Sequence, residues 1–205
     1  MVDTAPDLAG AVNEMLLARG LEALPIESLR AAAGHGAPPL LRQAFGITPE
    51  HPDFQSMRQE FLSNYAARFA KDSFVFPGIP ELLNELQGKG IVCGAVTNKP
   101  HDLALQVCEA LGLSSKLKTI IGLGFPGTAL KPKPDSLLAA LKELGVNAGT
   151  TLYAGDSTSD VLASHAAGIP CAWVSWGYQK EPPVDPATDF TAAAPNELFQ
   201  WAMSR

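Results

Sequence analysis

Three short stretches combine residue types that could handle a phosphorylated ligand. In "YAGDSTSD" an apolar run ends on Gly155, Asp156 follows at its carboxyl end, and Asp160 lies in the opening turn of the next helix. A carboxylate presented there can bind a hard cation such as Mg²⁺ together with a substrate phosphate; equally, Asp and Ser in such a turn cap helices. In "GAVTNK" a strand ends on Thr97 and Asn98, with Lys99 next. A hydroxyl, an amide and backbone N–H groups before a helix suit a tetrahedral anion, although polar residues ahead of Pro100 are also ordinary turn chemistry. In "LKPKPD" Lys131 and Lys133 alternate with prolines that stiffen the backbone. A rigidly held ammonium can neutralise charge on a phosphoryl group and its attacker, whereas two loop lysines can equally be no more than solvated. Lys133 has no assignable role.

The elements that must position these residues fall into two textures. Asp3 or Thr4 can cap a first helix, Pro6 sits in its first turn, and Leu8, Val12, Met15 and Leu16 recur at helical spacing until Gly20. A second helix is predicted over Ile26 to Ala33 and a third from about Leu40 to Phe45, with the loop "GHGAPP" between them. Phe54, Met57, Phe61, Tyr65 and Phe69 form a further stripe, which helix packing explains without a cofactor. Residues 5–74 therefore read as an all-helical unit, and Pro77 and Gly78 break that pattern. From 75 to 205 the chain alternates: helix 80–87, strand "IVCGAVTN", helix 101–111, strand "KTIIGLG", helix 135–144, strand "TTLYAGDS", helix 160–167, strand "CAWVSWG". Such alternation predicts βαβ units and a parallel, Rossmann-like sheet, which places ligands beyond the carboxyl ends of its strands. All three stretches fall there.

Composition narrows the function classes. The 205 residues are 46% apolar, enough for a substantial core, and the formal net charge is −6. No global positive field exists to hold nucleic acid or an anionic membrane surface, so a phosphorylated ligand must rely on local donors. No run approaches the roughly 20 apolar residues that span a bilayer, and Asp3 and Asp7 stand where a signal segment would be basic and then apolar. A cytoplasmic protein is expected. Cys93, Cys108 and Cys171 are widely separated and lack any C-x-x-C spacing, which suggests buried thiols rather than a disulfide or zinc framework. His35, His51, His101 and His165 share no metal-gathering spacing and read as surface or capping residues.

Taken in order, "VTNK", "LKPKPD" and "AGDSTSD" resemble the second, third and fourth motifs of the haloacid dehalogenase superfamily of phosphatases. "VDTAPDL", "GHGAPPLL" and "FPGIPELL" are similar to the phosphoglycolate phosphatase branch. The resemblance implies an α/β core, residues 75–205, with residues 5–74 as an inserted helical cap. By the same resemblance Asp156 binds Mg²⁺, Thr97 and Asn98 hold the transferring phosphoryl group, Lys131 stabilises its charge, and Asp160 orients the lysine or a metal-bound water. His35 could touch the organic part of the substrate, or serve its loop alone. The implied substrate is a small phosphorylated metabolite: phosphoglycolate, or a sugar phosphate such as N-acetylmuramic acid 6-phosphate.

The family's first motif is a strand followed by D-x-D-G-T-L-x-D, of which Met1, Val2 and Asp3 match only the final L-x-D. The resemblance thus implies that the attacking aspartate, the general acid/base and one metal ligand lie upstream, or that the chain is a remnant that binds without catalysing. It further implies that the first, central strand of the sheet is missing, leaving two inner edges unpaired. Asp3 and Asp7, at the start of a helix, read as capping residues rather than substitutes for the nucleophile.

Overall fold

The computed structural model describes residues 1–205, which divide into two compact units, Met1–Phe76 and Pro77–Arg205. The first unit holds four helices, α1 (Ala5–Ala18), α2 (Ile26–Ala33), α3 (Ala37–Phe45) and α4 (Phe54–Arg68). It is not wholly helical: β1 (Val2–Asp3) pairs antiparallel with β2 (Phe74–Val75), tying its ends together. Leu8, Val12, Met15 and Leu16 of α1 are buried, as their spacing requires, together with Leu29, Leu40 and Leu41. From the α4 stripe only Phe54, Phe61 and Tyr65 are fully buried, and the Phe61 and Tyr65 rings stack 6.4 Å apart. Helix α3 begins three residues before the predicted Leu40, because Pro38 and Pro39 fall within its first turn. There a missing N–H costs nothing and the fixed φ favours the helix, so prolines that read as a loop are its start.

The second unit alternates as predicted: α5 (Ile79–Gly88), β3 (Gly94–Pro100), α6 (His101–Ala110), β4 (Thr119–Leu123), α7 (Asp135–Leu144), β5 (Tyr153–Gly155), α8 (Thr158–Ala166) and β6 (Cys171–Val174). Two further elements, β7 (Phe190–Ala192) and α9 (Pro195–Met203), follow a loop whose prolines obscured them in the sequence. All pairing in this unit is parallel. β3 pairs with β4, and β5, β6 and β7 form a second ladder in that order. No backbone ladder joins β3 to β5. Strand β3 starts at Gly94 rather than Ile91 and runs on to Pro100, its register with β4 shifting between Val96 and Pro100. Leu137 and Leu141 of α7 pack with Ala163 and Ile169, and Val96 and Tyr153 lie against that cluster. This packing fixes the strand ends from which the polar loops leave.

Candidate active site

The three polar stretches lie in the carboxyl half of a strand or in the loop that follows one. Thr97 and Asn98 lie in the second half of β3, Lys131 in the loop from β4 to α7, and Asp156 directly after β5. The loop to α8 is organised by Ser157 and Asp160 as a reciprocal capping box: the Ser157 side chain accepts the Asp160 N–H at 3.3 Å, and Asp160 Oδ2 accepts the Ser157 N–H at 3.1 Å. The same Oδ2 accepts the Asp156 N–H at 3.2 Å and the Ser157 hydroxyl at 2.6 Å. Capping, which read as the alternative to a site role for this loop, is thus present in Asp160.

Its other oxygen serves Lys131. Lys131 Nζ donates to Asp160 Oδ1 at 2.6 Å, and the Tyr153 hydroxyl reaches that oxygen at 2.8 Å. Asp160 is only 4% exposed, which matters because an unpaired charge so placed would be costly. Burial alone would raise its pKa; the Lys131 charge, with hydrogen bonds from Lys131, Ser157 and Tyr153, outweighs that and holds the carboxyl below its ordinary value. Gly155 makes the arrangement possible. A Cβ there would lie 2.4 Å from both Cβ and Cγ of Asp160.

Asn98 reaches the same loop by a different route. Its Oδ1 accepts the Lys131 N–H at 2.9 Å and its Nδ2 donates to the Lys131 carbonyl at 3.2 Å. The amide side chain thus pairs with the lysine's backbone on both sides, fastening the β4–α7 loop to β3. The Thr97 hydroxyl accepts the Lys99 N–H at 3.1 Å. Lys133 is exposed, two residues beyond this clamp, and His35 is exposed in the helical unit.

Asp156 is half-buried, with Oδ2 accepting the Tyr178 N–H at 2.6 Å. No group of three or more His, Cys, Asp and Glu side chains that could hold a metal gathers in the chain. Asp160 has both oxygens engaged, so Asp156 Oδ1 is the carboxylate oxygen of this loop left open to a cation. One carboxylate fits an ion that keeps most of its water and takes phosphate oxygens as ligands, as Mg²⁺ does, and not one that demands a full protein cage. The histidines show other roles: His51 Nδ1 accepts the Asp53 N–H at 3.2 Å, His101 Nδ1 accepts the Gly122 N–H at 3.3 Å, and His165 Nε2 lies 2.9 Å from Asp189 Oδ2. All three cysteines are free thiols.

Sequence reasoning missed Tyr153 and Gln179. Tyr153 stood within an apolar run and read as a strand residue. Gln179 Oε1 accepts both the N–H and the hydroxyl of Thr158, at 3.0 and 3.2 Å, covering the first turn of α8 from a loop with no motif.

Comparison with known proteins agrees with this geometry. The family model for haloacid dehalogenase-like hydrolases matches residues 1–174. The chain is 35% identical over 189 residues to a phosphoglycolate phosphatase of Pseudomonas fluorescens, covering 90% of this chain and 69% of that protein. It is 32% identical over 201 residues to the N-acetylmuramic acid 6-phosphate phosphatase of Pseudomonas aeruginosa, covering 97% and 88%. Among solved structures, the haloacid dehalogenase-like family hydrolase of Streptococcus pneumoniae superposes with a TM-score of 0.81 at 21% identity, over 98% of this chain and 92% of that one. With the ordered loops on one set of strand ends, these matches show that the chain belongs to the haloacid dehalogenase-like hydrolase family, on its phosphatase side.

Proposed function

We propose that this protein hydrolyses the phosphate ester of a small organic acid or sugar, phosphoglycolate first among the candidates, with Mg²⁺ at Asp156 and through an aspartyl-phosphate. The observation that carries this is the convergence on Lys131: a carboxylate from α8 holds its ammonium at 2.6 Å while an amide from β3 holds its backbone at 2.9 and 3.2 Å. A cation so restrained can meet negative charge as it builds on a phosphoryl group without reorganising first. Thr97, between Val96 and Asn98 on β3, supplies a hydroxyl. Asn98, its amide engaged by the loop, contributes through its backbone and by fixing Lys131. Asp160 keeps the ammonium paired and aimed. When bound, Mg²⁺ supplies Lewis-acid polarisation of the phosphoryl oxygens.

On this proposal the attacking carboxylate is carried by a strand that pairs between β3 and β5, which share no ladder, and residues 5–74 act as the cap that sets substrate choice. The phosphoglycolate phosphatase named among the relatives favours an acid substrate. A sugar phosphate is the second reading, favoured by the N-acetylmuramic acid 6-phosphate phosphatase matched over 97% of this chain.

The test is phosphate release from a panel containing 2-phosphoglycolate and N-acetylmuramic acid 6-phosphate, with Mg²⁺ or with EDTA. It is run on residues 1–205 and on the chain extended by its gene's in-frame upstream codons. The expected result is Mg²⁺-dependent release by the extended chain, lost on Asp156→Asn. Silence from both chains on every ester refutes the proposal. Phosphate binding without turnover in either form would instead mark a non-catalytic phosphate-binding protein.

A further inference from the structure

A lysine side chain is a flexible stem with a rotating ammonium, and an ion pair to one carboxylate oxygen leaves two N–H directions free. In this structure none is left free. Besides Asp160 Oδ1, Lys131 Nζ donates to the Tyr153 hydroxyl at 3.0 Å and to the Val96 carbonyl at 3.2 Å, which accounts for all three protons. The Tyr153 hydroxyl has one proton to give. It lies 2.8 Å from Asp160 Oδ1 and 3.5 Å from the Val96 carbonyl, so the carboxylate is the better acceptor and the phenol's lone pairs face the ammonium. The Lys131 ammonium also stands 5.7 Å from the Tyr153 ring centroid. Lysine, tyrosine and aspartate thus form a closed triangle of hydrogen bonds.

Three features argue that the hydroxyl, and not merely the ring, is what this position uses. The ring already packs against the Leu137, Leu141, Ala163 and Ile169 cluster, where a phenylalanine would fit and would bury no polar atom. Burial first, then the Asp160 charge, pushes the phenol far above its ordinary pKa, so it remains a neutral donor. Finally, β3 and β5 share no backbone ladder, and the contacts of Tyr153 and Lys131 to the Val96 carbonyl link β5 and the β4–α7 loop to β3 at the level of the site.

Building on the phosphatase proposal, we infer that Tyr153 is a positioning residue for Lys131: its hydroxyl fixes the direction of the ammonium by bridging it to the Asp160 carboxylate. A phosphoryl oxygen would then replace the neutral Val96 carbonyl as the third acceptor, while Asp160 and Tyr153 hold the other two protons.

The test is Tyr153→Phe in the full chain, which removes one oxygen and keeps the ring. With lysines labelled at Cε, the Lys131 resonance is assigned by its loss in Lys131→Arg, and inorganic phosphate is titrated with Mg²⁺ present. The expected result is a displaced Lys131 resonance and phosphate binding weakened about ten- to a hundredfold, the scale of one hydrogen bond to a charged group, with the thermal transition little moved. In a catalytically competent form of the chain kcat/KM falls by at least that factor, part of the loss appearing in kcat because the ammonium also meets the charge that builds in the transition state. A Lys131 resonance that stays in place in Tyr153→Phe overturns the inference. If the unaltered chain binds no phosphate, the phosphatase proposal fails by itself, and the Lys131 resonance still decides the role of Tyr153. Should Tyr153→Phe not fold, 3-fluorotyrosine at the three tyrosines changes hydroxyl acidity at nearly constant size. A displaced Lys131 resonance then supports the inference, and an unmoved one overturns it.

Discussion

Both units of this protein bury carboxylates beside a cation, and they do so to different ends. In the helical unit Asp3 and Asp7 are 1% and 0% exposed. Asp3 accepts the Ala5 N–H at 3.0 Å and pairs with the Arg30 guanidinium; Asp7 accepts the N–H groups of Asp72 and Ser73 at 3.1 and 2.9 Å and faces Arg68. Each arginine also binds surface carboxylates, Glu27 for Arg30 and Glu14 and Asp72 for Arg68. A planar guanidinium with five donors can tie several segments at once, which suits a fastening. In the α/β unit Asp160 is paired instead with a lysine, a point charge whose third proton goes only to a neutral carbonyl. An open Asp156 oxygen stands on the same loop. All three Lys131 ammonium protons have acceptors, whereas Arg68 Nε is buried 3.5 Å from Asp7 without a hydrogen bond; on the proposed function, only the lysine exchanges a weak partner for a ligand. On that proposal the buried arginine pairs serve stability and the Lys131 pairing serves preorganisation.

The sharpest way to break this contrast is to remove the aspartates' partners in turn. Asp160→Ala leaves the Lys131 ammonium, the Tyr153 hydroxyl and the Ser157 N–H without their acceptor and should cost about 3–5 kcal/mol in urea unfolding. A loss below about 1 kcal/mol would mean the triangle contributes little. The milder Asp160→Asn tests its charge. Because the folded pKa of Asp160 lies below the unfolded one, its ionised form stabilises the fold above the unfolded value, and that contribution is lost as pH falls through the folded value. The stability gap between the unaltered chain and Asp160→Asn should thus be full at neutral pH and shrink in acid. A gap that widened in acid would contradict the assignment.

Space makes a second contrast. At Gly155 an added Cβ would meet the short, fully bonded Asp160 side chain at 2.4 Å, whereas at Gly10 in α1 it would meet the Arg68 guanidinium at 2.1 Å. The far end of an arginine can move, and alanine gains about 1 kcal/mol of helix propensity over glycine. Gly155→Ala should therefore cost about 3 kcal/mol by overpacking, and Gly10→Ala should fall near zero, as read from thermal unfolding. Equal losses would show that Arg68 is as rigidly held as Asp160.

Arg30→Met comes next, at about 2 kcal/mol, because Asp3 keeps its Ala5 N–H and the guanidinium is 22% exposed. It should leave phosphate affinity unchanged, and a weakened affinity would erase the division of labour between the units. The smallest effect belongs to the exposed Arg19–Glu60 pair at 2.6 Å. Glu60→Gln should change stability by less than about 1 kcal/mol, and the difference should fade in high salt.

The elements were legible in sequence where the signal is local. The α1 stripe, the alternation after Pro77 and the placement of Thr97 and Asn98 late in β3, and of Lys131 and Asp156 in the loops after β4 and β5, all follow from period and turn chemistry. Elements without such a signal were not: the start of α3, hidden by Pro38 and Pro39, and β7 and α9 beyond the proline-rich loop. Asp160 could be placed in the first turn of α8 from its spacing alone. Its division into one oxygen for the cap and one for Lys131 could not, nor could the use of the Asn98 amide to hold Lys131's backbone.

The reason is separation along the chain. Lys131 and Asp160 are 29 residues apart, Asn98 and Lys131 are 33, and Tyr153 and Val96 are 57. Sequence period decides which face of a helix or strand a residue takes, because that is fixed by backbone geometry over a few residues. Which distant oxygen meets which proton is decided only when strands pair and helices pack to within tenths of an ångström. For this protein the sequence by itself supplied the family's polar loops and the strand ends that carry them, and the tertiary structure chose their partners.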